Sequence, residues 1–190
     1  MPVTVPGVMG ALIPNLISVA MIGTGVPKYC QGVALGLSIW VPQIKVNTID
    51  TGSAGVGRSA PTPVIVPNPL MYVNIIAGMT ANGLAGVFMP VFSLGLANGL
   101  VLSFAQMVIS TTHPSVGAGG GVAKFSAPPA ASAMIQGFKQ AGMKGDGAVK
   151  KAKAVAMACD LTFTSLIVPI AIVGPPSPAP GAGSGFGSIV

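Results

Sequence analysis

The chain has 190 residues, of which 51% are hydrophobic and only 6% are charged, and it contains no glutamate. Its mean hydropathy is +0.78, whereas an ordinary soluble domain is about a quarter charged. This composition excludes a typical water-soluble monomer. It also excludes ordinary disorder, which needs low hydrophobicity and high net charge. The apolar surface must therefore be covered by lipid or by other copies of protein.

Two apolar stretches open the chain. Residues 8–21 are apolar nearly all round, which predicts a fully buried helix. The break at Gly23-Thr-Gly25 separates them from a second apolar stretch over 29–44. The first residues, Met-Pro-Val-Thr-Val-Pro-Gly, lack a basic region, so we expect no secretory signal.

The middle of the chain returns to the same kind of pattern. Residues 61–69 are predicted to be extended, because each of their prolines excludes helix from the residue before it. Residues 70–80 are again apolar nearly all round and predict a buried helix. A break around Asn82-Gly83 follows.

The last third begins with a one-sided helix. Met134 and Phe138 share one face, while Gln136 and Lys139 mark a polar face. After a turn at Gly145-Asp-Gly147, residues 150–158 are rich in alanine and lysine and predict a further helix.

Strand-like and then irregular sequence closes the chain. Residues 161–168 are β-branched and aromatic, which predicts a strand. Residues 174–187 contain four prolines and five glycines. Such a tail has no core of its own, so we expect a neighbouring subunit to hold it.

Glycine-rich segments occur three times, over 51–58, 116–122 and 180–187. Gly52, Gly117 and Gly181 are 65 and 64 residues apart, and the two cysteines are separated by 129 residues, as are Gly52 and Gly181. This spacing suggests a triplicated unit of about 64 residues.

The predicted fold is mainly α-helical, with short β or extended glycine-rich arms and a three-fold internal repeat of helical hairpin plus arm. We expect a single domain over 1–190, with repeat units 1–58, 59–123 and 124–190. Glycine lets a neighbouring backbone approach closely, so the glycines of these segments are candidate intersubunit arms. They are Gly52, Gly55, Gly57, Gly117, Gly119, Gly120, Gly121, Gly181, Gly183, Gly185 and Gly187.

Catalytic chemistry is not predicted, because titratable groups are too few to gather in a pocket. Among the acidic residues and the one histidine, Asp50, Asp146 and His113 are interpreted as turn residues, and Asp160 lies near the end of the predicted helix. A phosphate-binding loop is not supported either, since the glycines ending at Gly121 are not followed directly by Lys and Ser or Thr. We therefore predict no enzyme, no catalytic residue and no cofactor.

Metal and nucleic-acid sites are not predicted. Cys30 and Cys159 match no metal-ligand spacing and are interpreted as buried thiols, with their redox state left open. The pI is about 9.7, but one arginine and one short lysine cluster, over 150–153, favour a solvated helix face over specific nucleic-acid contact.

A membrane protein with about four transmembrane helices is one way to cover the apolar surface. Residues 7–26 and 29–44 would form two spans and residues 70–112 two more. Most basic residues would then lie on one side of the membrane, as the positive-inside rule expects. The location would be the bacterial inner membrane.

The favoured alternative is contact with other protein subunits, because obligate interfaces resemble a domain core cut in half. The helical hairpins, the Gly-Ala-Gly arms and the closing segment over 175–190, which reads Pro-Pro-Ser-Pro-Ala-Pro-Gly-Ala-Gly-Ser-Gly-Phe-Gly-Ser-Ile-Val, resemble small hydrophobic virion proteins of tailed bacteriophages. The resemblance implies a non-enzymatic subunit of a symmetric homo-oligomer in the tail, baseplate or neck of a virion. Its partners would be other copies of itself and neighbouring virion proteins. A third alternative is a particle component that enters the host envelope, with membrane lipid as a partner.

Overall fold

The computed structural model of the protein describes residues 3–53, 56–64, 68–87, 89–106, 108–115, 118–163, 166–173 and 181–188, with side chains over 3–44, 70–87, 89–106 and 125–163. The described chain is mainly helical, as predicted. The helices are α1 (Val5–Ser18), α2 (Gly25–Trp40), α3 (Asn68–Ala81), α4 (Met89–Ala105), α5 (Ala127–Gln140) and α6 (Asp146–Phe163). The strands are β1 (Lys45–Ser53), β2 (Val56–Val64), β3 (Val108–Ser115), β4 (Ala118–Lys124), β5 (Leu166–Val173) and β6 (Gly181–Ser188).

Proline is the second residue of each helix that begins a hairpin: Pro6 in α1, Pro69 in α3 and Pro128 in α5. Its missing N–H is not needed in the first turn of a helix, and its fixed φ suits that position. Thr4 adds a cap to α1, because its hydroxyl accepts a hydrogen bond from the Gly7 backbone N–H at 3.3 Å. These helices therefore start where the sequence supplies a starting signal.

Each of these three helices buries one stripe. In each stripe, buried residues stand two, six and ten positions after the proline: Val8, Leu12 and Leu16, then Met71, Ile75 and Met79, then Ala130, Met134 and Phe138. The opposite faces of α1 and α3 are exposed, with Ile17 at 52% and Val73 at 55%. The prediction that these two helices are fully buried is therefore wrong for a single chain.

Glycine allows two pairs of helices to approach closely. Gly32 and Gly36 of α2 face α3, where an added Cβ would stand 2.5 Å from side-chain atoms of Met79 and Ile75. Gly99 of α4 and Gly137 of α5 face each other in the same way, and a Cβ on Gly137 would stand 2.5 Å from the Gly99 nitrogen. Any side chain at these glycines would separate the helices.

The six helices form a ring in which each helix packs against the next and α6 packs against α1. Four aromatic side chains fill one end of the circle of helices. At this end, α2, α4 and α6 lead into the strands. Phe104 is central, since its ring centroid lies 5.3 Å from those of Trp40 and Phe125 and 5.4 Å from that of Phe163. All four side chains are at most 1% exposed.

The strands form one antiparallel sheet in the order β2-β1-β6-β5-β4-β3, and β2 and β3 also lie in contact with each other. The final strand, β6, pairs with β1 on one side and with β5 on the other. Residues 181–188 are thus held by the chain's own sheet, and the expectation that a neighbouring subunit must hold this part of the tail is wrong. Residues 174–180 lie outside the described part.

The boundary between α6 and β5 differs from the prediction. Residues 161–163, which were predicted to start a strand, continue α6, and β5 begins at Leu166. Phe163 is fully buried in the aromatic cluster, so tertiary packing overrides its strand preference.

The candidate span over 7–26 is divided between two helices, since α1 ends at Ser18 and α2 begins at Gly25. None of the helices in the described part of the chain combines the length and the apolarity needed to cross a bilayer. The four-span alternative stays a prediction.

Candidate assembly surfaces

The glycine-rich segments lie in strands of the chain's own sheet. Gly52 of β1 is opposite Gly57 of β2 on one side and Gly181 of β6 on the other. The remaining glycines of β6 also run along β1, with Gly183 opposite Asp50 and Gly185 opposite Thr48. Gly187 pairs with residues of both β1 and β5.

The described glycines of the middle glycine-rich segment also pair with a neighbouring strand of the sheet. Gly119, Gly120 and Gly121 of β4 run opposite residues 168–170 of β5. Gly55 and Gly117 lie outside the described residues. These glycines thus form intrachain pairs, and their contact with a second subunit stays a prediction.

Two exposed aliphatic side chains occupy matching positions close to the sheet. Ile39 of α2 is 41% exposed and Leu161 of α6 is 68% exposed, and each lies in the last turns of the helix that leads into a strand. We call these two residues the sheet-proximal pair. Further exposed large apolar residues are Ile17, Ile22, Leu70, Val73, Val87, Val91, Leu94 and Met157.

The lysines of the α6 cluster differ in their exposure to solvent. Lys150 and Lys153 are exposed, as predicted for a solvated face, but Lys151 is half-buried. Its Nζ lies 4.8 Å from the centroid of the Phe92 ring, which is also 5.3 Å from the ring of Tyr29. Desolvation lowers the pKa of Lys151, and the ring face partly compensates the ammonium for the lost water.

Burial also dominates the chemistry of the two cysteines, which are both free thiols at most 1% exposed. It raises the pKa of Cys30 from 9.0 to about 11, and it raises that of Cys159 further, with a smaller contribution from the Asp160 charge. Burial raises the pKa of Tyr29 as well, and repulsion from the two thiolates adds to it. All three groups are held neutral near pH 7, which fits structural packing.

Both thiols are therefore expected to resist iodoacetamide in the folded protein at about pH 8 and to react fully after denaturation. Mass spectrometry of the alkylated peptides checks this site by site. Rapid labelling of either native thiol would contradict the burial of these side chains.

The raised pKa of Cys30 has a matching effect on stability. Because the folded state holds this proton more tightly, its contribution to the free energy of unfolding is full below about pH 9 and is lost as the pH rises through about 11. The difference in stability between the wild type and Cys30→Ala should shrink over that range. A constant difference would show that the thiol titrates normally.

The three acidic residues and the histidine are scattered over the fold. Asp146 is exposed in the first turn of α6, and Asp160 is half-buried near the end of the same helix. Asp50 lies in β1 and His113 in β3, so the turn prediction is wrong for both; their side chains lie outside the described part. Among the described residues, no three His, Cys, Asp or Glu side chains come together as a metal-binding group.

Sequence reasoning missed the exposed aliphatic side chains at both ends of the helices. The sheet-proximal pair, and the turn residues Ile22 and Val87, stand in apolar runs that look uniform along the sequence. Only the helix boundaries and helix contacts separate their exposed positions from the buried ones.

Comparison with known protein families, with curated proteins and with solved structures gives no match.

Proposed function

We propose that this chain is a non-enzymatic structural subunit of a symmetric homo-oligomeric virion assembly, such as a phage tail, baseplate or neck. The observation that carries the proposal is the exposure of large aliphatic side chains on a chain with only 6% charged residues. Exposed apolar surface of this kind is typical of protein contact sites. The resemblance of residues 175–190 to phage virion proteins supports the choice of assembly.

We further propose that the chain consists of three repeated units. The proline at the start of the first helix recurs after 63 residues, from Pro6 to Pro69, and after 59 more at Pro128. The same two offsets relate Gly32 of α2 to Gly95 of α4 and to Ala154 of α6, all of them buried. Other buried positions follow these offsets: Val33, Leu96 and Val155; Ala34, Ala97 and Ala156; Gly36, Gly99 and Ala158; Leu37, Leu100 and Cys159.

The offsets of 63 and 59 residues replace the spacing of the glycine-rich segments and of the cysteines as the basis for the repeat. Cys30 and Cys159 are not equivalent positions of the repeat, because the summed offset of 122 residues makes Leu37 the counterpart of Cys159. Each unit would contain two helices followed by two strands, so the first unit would extend through Val64, the end of β2, instead of ending at 58.

Such units would interlock around a pseudo-three-fold axis. The second helix of one unit packs against the first helix of the next, as α2 does with α3, α4 with α5 and α6 with α1. A single chain would then already close its own ring. Contacts between copies are left to the outer faces and the sheet, including the glycine-rich strands proposed as arms.

Assembly is tested at the sheet-proximal pair. Ile39 and Leu161 are 122 residues apart, which is the sum of the two offsets, so they would be equivalent positions. The double substitution Ile39→Glu and Leu161→Glu should dissociate the oligomer into 18.7 kDa chains, because carboxylates in an apolar interface cost several kcal/mol in all. Sedimentation equilibrium measures the mass directly.

A matched control is Gln136→Glu, which adds a charge at an exposed position of α5 and should leave the oligomer intact. Deletion of residues 175–190 is a poorer test, because it removes β6 from the sheet. A wild-type protein that stays monomeric at high concentration would refute homo-oligomeric assembly.

A further inference from the structure

The end of the molecule at which the helical hairpins turn is strongly basic. We call it the turn end, and it comprises the turns α1–α2, α3–α4 and α5–α6 with the adjoining helix ends. Among the described residues there, Asp146 is the one carboxylate. The lysines at this end are Lys28, Lys139, Lys144, Lys150 and Lys151, of which all but the half-buried Lys151 are exposed.

The same end presents two protruding aliphatic side chains. Ile22 in the α1–α2 turn is 81% exposed, and Val87 in the α3–α4 turn is 84% exposed. These turns lie side by side, since Lys28 Nζ is 3.5 Å from the point where a Cβ on Gly83 would stand. Two apolar tips and several ammonium groups thus lie at one end of the molecule.

We propose that the turn end docks on the surface of an anionic lipid bilayer. Ile22 and Val87 would enter the boundary between headgroups and acyl chains, while the exposed lysines would bind the anionic headgroups. The proposal concerns surface attachment and requires no transmembrane helix. It does not depend on the assembly proposal, whose test residues lie at the opposite ends of the helices.

Charge complementarity alone would also suit DNA, but the apolar tips favour lipid. A nucleic-acid backbone offers phosphates to the lysines and no apolar layer to two exposed aliphatic side chains. A bilayer satisfies both kinds of group within a few ångströms of depth. The combination therefore favours the bilayer as partner.

Vesicle co-sedimentation tests this proposal on the full-length protein. It should bind vesicles with about 30% phosphatidylglycerol, but not pure phosphatidylcholine vesicles, and high salt should weaken the binding. The double variant Ile22→Ser and Val87→Ser should lose about tenfold or more in partition, and Lys144→Gln with Lys150→Gln should lose several-fold. The control Val73→Ser, an exposed site on the sheet-proximal half of α3, should bind as wild type.

Equal binding to neutral vesicles, or no binding to anionic ones, would overturn the proposal. So would a double Ile22 and Val87 variant that binds anionic vesicles as tightly as the Val73→Ser control. Binding to double-stranded DNA in a mobility-shift assay, without vesicle binding, would assign the turn end to nucleic acid instead. Trp40 fluorescence verifies that each variant is folded, since this buried residue is the only tryptophan.

Discussion

Gly137→Ala is expected to lower the free energy of unfolding by about 2 to 3 kcal/mol, although alanine favours helix more than glycine does. The added methyl group would meet the Gly95 carbonyl oxygen and would stand 2.5 Å from the Gly99 nitrogen and 3.0 Å from its Cα. These are backbone atoms, which cannot rotate away. The contact between α4 and α5 would have to open, and chemical denaturation measures the loss.

Gly10→Ala is the matched control. Gly10 lies in α1, where an added Cβ would meet nothing within 4 Å. This substitution should raise stability by about 0.5 to 1 kcal/mol, because alanine loses less backbone entropy than glycine. Equal effects at Gly137 and Gly10 would mean that α4 and α5 do not pack through their glycines.

Phe104→Ala is expected to cost about 3 to 5 kcal/mol, the range for removing a buried phenylalanine. Phe104 is 1% exposed, and its ring contacts those of Trp40, Phe125 and Phe163. Truncation would leave a cavity between rings from all three helical hairpins or their flanking segments. Denaturation followed by Trp40 fluorescence reports on the same cluster.

Phe104→Leu provides the graded control, because it keeps most of the apolar volume and should cost clearly less than alanine. The emission of Trp40, which is fully buried 5.3 Å from Phe104, should shift more in the alanine variant. A loss below about 1 kcal/mol for Phe104→Ala would contradict a shared aromatic core at this end of the ring.

Helices α1, α3, α5 and α6 were predictable, because apolar periodicity and glycine breaks are local signals, whereas α2 and α4 were indicated only as apolar stretches. Residues 70–80 fall inside α3 and residues 150–158 inside α6. Burial was not predictable in the same way. Ile17 and Leu16 are adjacent and similarly apolar, yet one is half exposed and the other fully buried, and only the position of neighbouring helices decides which.

The sheet was beyond sequence reasoning because its pairings join distant segments. Local composition can indicate extended backbone, but it does not indicate that β6 inserts between β1 and β5. Sequence reasoning therefore leads to a neighbouring subunit as the support for the glycine-rich tail. Strand pairs of high sequence separation leave no local signal for such reasoning to use.

The basic turn end was hidden for a related reason. Lys28 and the lysines of α6 are more than a hundred residues apart in sequence. They come to one end because the hairpins lie side by side in the ring. The glycine segments, in contrast, were visible in sequence, but their pairing partners were not.

Quantitative mass spectrometry of purified phage particles is the decisive measurement for a structural role in a virion. We expect this protein to be present in a fixed copy number per particle, which repeated washing and different preparations leave unchanged. Absence of the protein from the particles, or its recovery in the membrane fraction after an alkaline carbonate wash, would refute this role.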